Sequence, residues 1–200
     1  TPAACGGDDN IVLANVYDNL LCLENDGSLS NAIAETYTLS EDGTVYTFNL
    51  RKGVKFTNGM PMTAEDVKFS LDKGAAGPLG GALLINFKEC KIVDEYTIQI
   101  ILTAPYAAFP YCVASRVGGI ACKAYWEQVG DDGYMKAPIG TGPYKLMDYA
   151  SNDYIKLEAN ADHWRGAPSI KNIKIELVSD INTMILGLQN GDYDVMGNPS

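Results

Sequence analysis

Histidine is almost missing from these 200 residues: His163 stands alone. A single imidazole leaves most hydrolytic mechanisms without a proton shuttle beside the nucleophile, and G-x-S-x-G, H-E-x-x-H and C-x-x-C are absent too. Carboxylate-only catalysis stays open, because 25 acidic residues always offer pairs somewhere. Positive charge is also scarce. Lys and Arg number 15, and the net charge of −10 argues against broad contact with phosphate backbones. No apolar run approaches the ~18 residues of a membrane span. No export leader is visible, as would hold for a mature exported product. The five cysteines, Cys5, Cys22, Cys90, Cys112 and Cys122, form no zinc-type spacing. Cys112 and Cys122 are the nearest candidate disulfide pair, set against buried free thiols, the reading we prefer.

What is present is a core. Hydrophobic residues make up 46% of the chain, enough for one domain or two small ones. The most informative stretch is DGTVYTFNLRKGVKFTNGMPMTAEDVKFSL, residues 42–71. Asp42-Gly43 signals a turn, and Val45 to Leu50 alternates with period two, placing Tyr46, Phe48 and Leu50 on one face. Lys52-Gly53 and Asn58-Gly59 turn the chain around an extended Val54-Lys55-Phe56. Thr63 with Asp66 three residues later spells a capping box, and Val67 and Leu71 share a helix face. These residues are expected to build scaffold.

The same stretch resembles the signature of the family 5 extracellular solute-binding proteins, the peptide- and nickel-binding receptors of ABC importers. The match runs through Asp42, Gly43, Tyr46, Thr47, Phe48, Leu50, Arg51, Gly53, Val54, Lys55, Phe56, Gly59, Pro61 and Thr63 to Val67. Pro138 to Tyr144, PIGTGPY, is similar to that family's P-x-G-T-G-P-Y turn, and Gly191-Asp192-Tyr193-Asp194 to its G-x-x-D segment. Tyr17, Asp18 and Leu20 fit its Y-D-x-L, Ile33-Ala34-Glu35 its L-A-E, and the loop DHWRGAP around His163 its Y-W-x-G-x-P. In that loop a structural anchor is a better reading of His163 than a metal ligand.

Taken in order, residues 1–10 read as a polar loop. Pro2 to Gly7 also resembles the end of a lipobox with Cys5 as the lipidated residue, although no hydrophobic segment precedes it. Asp9 or Asn10 can cap a helix with Val12, Leu13, Val16, Leu20 and Leu21 as its buried stripe. Asp26-Gly27 turns the chain. Lys73 to Gly81 is a loop by composition and lacks the spacing and lysine of a phosphate-binding loop. Phe87 to Leu102 reads as a hairpin turning at Asp94-Glu95, and Pro105 to Arg116 as a short helix packing Tyr106, Phe109 and Tyr111 on it. Three strands, 144–149, 154–158 and 173–177, follow. Ser179 or Asp180 caps a helix from Ile181 to Gln189 with Ile181, Ile185 and Leu188 inward, and Tyr193 to Met196 starts another strand.

The resemblance implies an α/β fold: a mixed-sheet lobe of a two-lobed, type II periplasmic-binding-protein-like architecture, with the second lobe absent. It implies a discontinuous part, 1–31 plus 138–200, and an inserted smaller α/β part, 32–137. It implies no catalysis and no cofactor or metal, but capture of oligopeptides or dipeptides in an interlobe cleft for delivery to ABC permease subunits. The whole protein is expected to be extracytoplasmic, in the periplasm or lipid-anchored at the cell surface, and this stretch soluble. A nickel chelate or other small solute is the alternative ligand; a hydrolase or a sensory surface protein reusing the fold is the alternative of another class. Candidate ligand contacts are Asp8 and Asp9 in the first loop, Gly77 after the A-E-D-V helix, and Gly197 and Asn198 near the expected hinge. Arg116 joins them because a guanidinium matches a carboxylate in fork geometry, against the competing account of an ordinary surface ion pair.

Overall fold

The computed structural model describes residues 10–197. The chain opens with α1 (Asn10–Val16) and a small hairpin of β1 (Leu21–Leu23) and β2 (Leu29–Asn31). Next come β3 (Ala34–Leu39), β4 (Val45–Leu50), α2 (Ala64–Ala76), α3 (Gly80–Leu83), β5 (Phe87–Asp94) and β6 (Thr97–Leu102). After them run α4 (Phe109–Val113), a 3₁₀ turn at Arg116–Gly118, α5 (Lys123–Lys136), β7 (Tyr144–Ala150), β8 (Tyr154–Ala159), β9 (Asn172–Glu176) and α6 (Ile181–Asn190). The lobe is mixed α/β, as expected. A four-stranded sheet in the order β3-β4-β6-β5 and a three-stranded sheet β7-β8-β9 are both antiparallel throughout.

The alternation in β4 does what it promises. Tyr46, Phe48 and Leu50 are buried, pairing across β6 so that Phe48 lies opposite Ile98 and Tyr46 opposite Ile100. Phe56, Val67 and Leu71 join the same core, with α2 laid across β5 and β6. At the start of α2 the Thr63 backbone N–H donates to the Asp66 carboxylate at 3.0 Å, which closes the expected capping box. Phe109 packs on Tyr46 at 5.5 Å between ring centroids, whereas Tyr111 faces solvent instead of the hairpin. The hairpin turns at Glu95-Tyr96, one residue later than expected.

A second core gathers Leu13, Val16 and Tyr17 with Ala121, Trp126, Tyr134, Tyr144 and Leu157. Tyr125 and Ile139 touch both cores. The G-T-G-P turn is what brings its two halves together. The Gly142 N–H donates to Val16 O at the end of α1, and a Cβ on Gly140 would sit 2.0 Å from that same oxygen. Only glycine permits this approach.

Other expectations fail as well. α1 stops at Val16 because the next carbonyls serve distant donors: Asp18 O accepts from Ile120 N–H, Asn19 O from Ile33, and Leu20 O from Ala32 and Ala34. Leu20 and Leu21 are still buried, but not on a helix. The glycine-rich 73–81 stretch is largely helical, since Gly74 lets α2 approach Val117 O and Gly80 packs against Ala75 O. Asp180 caps α6 through Thr183 N–H at 2.7 Å, and Gly191 ends it with φ of +81°, yet Ile181, Ile185 and Leu188 are exposed. Residues 193–196 form no strand and pair with none of the described strands. The four described cysteines are free thiols; Cys5 lies outside the described residues.

Candidate functional site

An open groove of about 570 Å³ is formed among the described residues. Its walls come from three places in the sequence. Leu13 and Ala14 on α1 lead into Tyr17 and Asn19; Leu83 comes from α3; Ala114 to Arg116 and Gly119 close the third side. Asn19 Nδ2 donates to Ala114 O at 2.8 Å, which pins two walls together. Ser115 Oγ turns back to Cys112 O at 2.7 Å.

One wall is braced from behind by a network invisible in local sequence. Trp164 Nε1 donates to the Asp18 carboxylate at 2.8 Å, and His163 Nε2 lies 3.3 Å from the same oxygen. The guanidinium groups of Arg51 and Arg165 both lie over the Trp164 ring, each 4.6 Å from its centroid. Arg51 is tied in turn to Glu35 and Ala32 O, and Arg165 to Asn31 O. Thus the Arg of the L-R-x-G signature and the His-Trp loop fix Asp18, and Asp18 fixes the Tyr17–Asn19 wall. His163 is a loop anchor, as its context suggested. The functional partner missed by sequence reasoning is Asp18, and the Y-D-x-L motif was the only signal for it.

A smaller concavity of about 280 Å³ lies at the starts of α2 and α5, lined in part by Met60, Asp66 and Cys122. Asp66 is buried there, and desolvation pushes its carboxyl above the ordinary range despite bonds from Thr63 and from Lys123 N–H at 3.0 Å. With its oxygens taken up by these donors, Asp66 is a brace between two helix starts. Burial likewise raises the Cys122 thiol.

Of the candidate ligand contacts, Arg116 lies in the large groove. Gly77 is the C-cap of α2 and stands outside the lining; Gly197 is exposed and also outside it. Asp8, Asp9 and Asn198 lie outside the described residues. Among the described residues no three or more His, Cys, Asp and Glu side chains gather to hold a metal ion. No helix is long and apolar enough to cross a membrane, again among those residues.

Comparison with known proteins agrees with this architecture. Residues 28–200 match the bacterial extracellular solute-binding proteins, family 5 middle region, and the chain belongs to that family. It is 35% identical over 187 residues to the glutathione-binding protein GsiB of Salmonella choleraesuis, covering 90% of this chain and 36% of that protein. Among solved structures it resembles NikZ from Campylobacter jejuni in complex with Ni(L-His), with a TM-score of 0.88 and 26% identity, over 97% of this chain and 40% of that one. DppA from Helicobacter pylori in complex with the peptide STSA is similar at a TM-score of 0.87 and 27% identity, over 99% and 44%. The chain therefore spans little more than a third of the length of the curated relatives it matches.

Proposed function

We propose that the chain is part of the solute-binding component of an ABC importer, one that captures oligopeptides or dipeptides outside the membrane and hands them to permease subunits. The observation that carries this reading is the groove beside Arg116, built in a chain of family 5. Main-chain hydrogen bonds supply affinity for an extended peptide without reading every side chain, a chemistry suited to an open groove. Capture works by closure of two lobes over the solute, with the ligand favouring the closed population. Contacts from Asp8, Asp9, Gly77, Gly197 and Asn198 belong to this proposal. So does the division into 1–31 plus 138–200 and an inserted 32–137, supported by a second core that joins α1 to β7 and β8. That core also draws Ala121, Trp126 and Tyr134 from the insert.

A nickel chelate is the second reading, favoured by the likeness to NikZ with Ni(L-His). Equilibrium dialysis of the protein against a peptide pool, and separately against Ni(L-His), decides between them when bound and unbound species are identified by mass. Unchanged peptides enriched on the protein are expected. Enrichment of the nickel chelate alone would exchange the two readings, and chemically altered peptides would put an enzyme in their place.

A further inference from the structure

We infer that the smaller concavity binds a soft monovalent metal ion of the copper(I) kind, held between the Cys122 thiolate and the Met60 thioether. The site is separate from the groove and does not rest on the solute reading. Cys122 Sγ and Met60 Sδ come from positions 62 apart in the chain and lie 3.8 Å from each other. Both residues line the same concavity of about 280 Å³. Each sulfur is carried on anchored backbone. The Met60 N–H donates to Asn58 Oδ1 at 3.1 Å, and the Met60 carbonyl accepts from Phe56 N–H at 2.9 Å, which fixes the turn. The Cys122 N–H donates to the Tyr134 hydroxyl at 3.1 Å. The sulfur pair is thus in place before any ion arrives.

Sulfur chemistry chooses the class of ion. Thiolate and thioether ligands select copper(I), whereas zinc asks for four nitrogen, thiolate or carboxylate donors, and calcium or magnesium for oxygen. With metal–sulfur bonds of about 2.3 Å, two sulfurs 3.8 Å apart subtend an angle of about 110° at the metal. That is a bent site with a position left on its open side for water or another small donor. Cys122 is 1% exposed and Met60 39% exposed, so the ion enters past the thioether and reaches the thiol behind it. Glu65, Asp66 and Glu127 share the lining with one ammonium, that of Lys123, which already pairs with Glu65 at 2.9 Å. The excess of carboxyl groups favours a cation there. Asn58 Nδ2 donates toward Cys122 Sγ from 4.0 Å, a contact that suits sulfur in its thiolate form. Binding exchanges the thiol proton, released to solvent, for a copper–sulfur bond, with no change of oxidation state.

The methionine methyl groups report the site directly, because the chain holds six methionines and five serve as internal controls. The 200-residue chain carrying methyl-¹³C methionine, with Cys5→Ser and Cys22→Ser to remove two competing thiols, is titrated without oxygen. Copper(I) is supplied as its acetonitrile complex, and zinc chloride is titrated separately. Met60→Leu identifies the peak. One equivalent of copper(I) is expected to shift the Met60 methyl resonance while those of the exposed Met135 and Met147 stay still. Cys122→Ser should abolish that shift. In competition with bicinchoninate, Met60→Leu should hold copper(I) at least about tenfold more weakly than its parent. A Met60 methyl that stays still while copper(I) binds elsewhere overturns the site. Equal affinity in the parent and in Met60→Leu does the same, and this variant alters a side chain outside the core, so it folds. A shift that survives Cys122→Ser overturns the sulfur pair. Zinc moving the Met60 methyl at the same concentration as copper(I) overturns the soft-ion assignment in favour of a general cation site.

Discussion

Single residues in this chain divide sharply into those that hold the frame and those that leave it unchanged when altered. Phe48 is fully buried between β3 and β6 neighbours, stacked against Tyr37 at 5.3 Å. Phe48→Ala should cost about 3–5 kcal/mol in urea unfolding, because the vacated ring volume cannot refill from a sheet locked on both sides. Arg116→Ala, by contrast, should leave stability within about 0.5 kcal/mol. Asp66 allows a pH test with a definite sign. Burial lifts its folded pKa above the ordinary aspartate value, so across the window between the two the folded chain holds more proton than the unfolded one. Its contribution to stability is therefore greatest at the acid end of that window and falls as pH rises toward the folded pKa. Asp66→Asn lacks this component and leaves one buried donor without an acceptor, a loss of about 1–3 kcal/mol. Unfolding both proteins in urea from pH 3.5 to 7 should show the wild-type advantage shrinking with rising pH; an advantage that grows would mean the hydrogen bonds outweigh desolvation.

At the scale of elements, what the sequence made legible was whatever one segment decides for itself. The period-two pattern of β4, the Thr63–Asp66 capping box and the Asp180 cap depend on residues a few positions apart, and each stands where it was read. Elements that depend on distant partners were not legible. The apolar stripe Leu13-Val16-Leu20 has helical spacing, but hydrogen bonds to Ile33, Ala34 and Ile120 take the chain out of the helix after Val16. The glycines of 73–81 look like loop and serve close packing instead. In the candidate site, Arg116 was recognisable by type, whereas the Asp18–Trp164 bond spans 146 positions and no local rule reports it. Helix α6 shows the same limit: its apolar positions were read as inward and lie exposed. Amphipathic spacing names a face but not what covers it. Consequently Ile185→Ser should change stability by no more than about 0.5 kcal/mol, while Leu71→Ala in α2 should cost about 2–5 kcal/mol. Equal losses at both positions, measured by the same chemical denaturation, would show that α6 is packed in solution.

For the molecule as a whole the question is whether its two cores melt as one. The larger core is built on β3 to β6 and α2; the smaller joins α1, α5 and the β7-β8-β9 sheet. They share Tyr125 and Ile139, and the Tyr134 hydroxyl, inside the smaller core, donates to Ile139 O while accepting from Cys122 N–H at 3.1 Å. Asp66 links the starts of α2 and α5, and the Arg51–Trp164–Arg165 stack joins the strand signature to the loop after β8. Contacts this dense across a boundary favour a single cooperative transition over two independent ones. The two tryptophans are placed to test it. Trp126 is buried in the smaller core, and Trp164 packs against the larger. With 5-fluorotryptophan incorporated, each should give its own ¹⁹F resonance, and both native signals should disappear with one midpoint in urea. Loss of the Trp126 signal at clearly lower urea than the Trp164 signal would mean that the smaller core opens alone. The groove would then lose the α1 wall while the Arg116 wall stayed folded, and solute binding would follow the stability of the smaller core rather than that of the whole lobe.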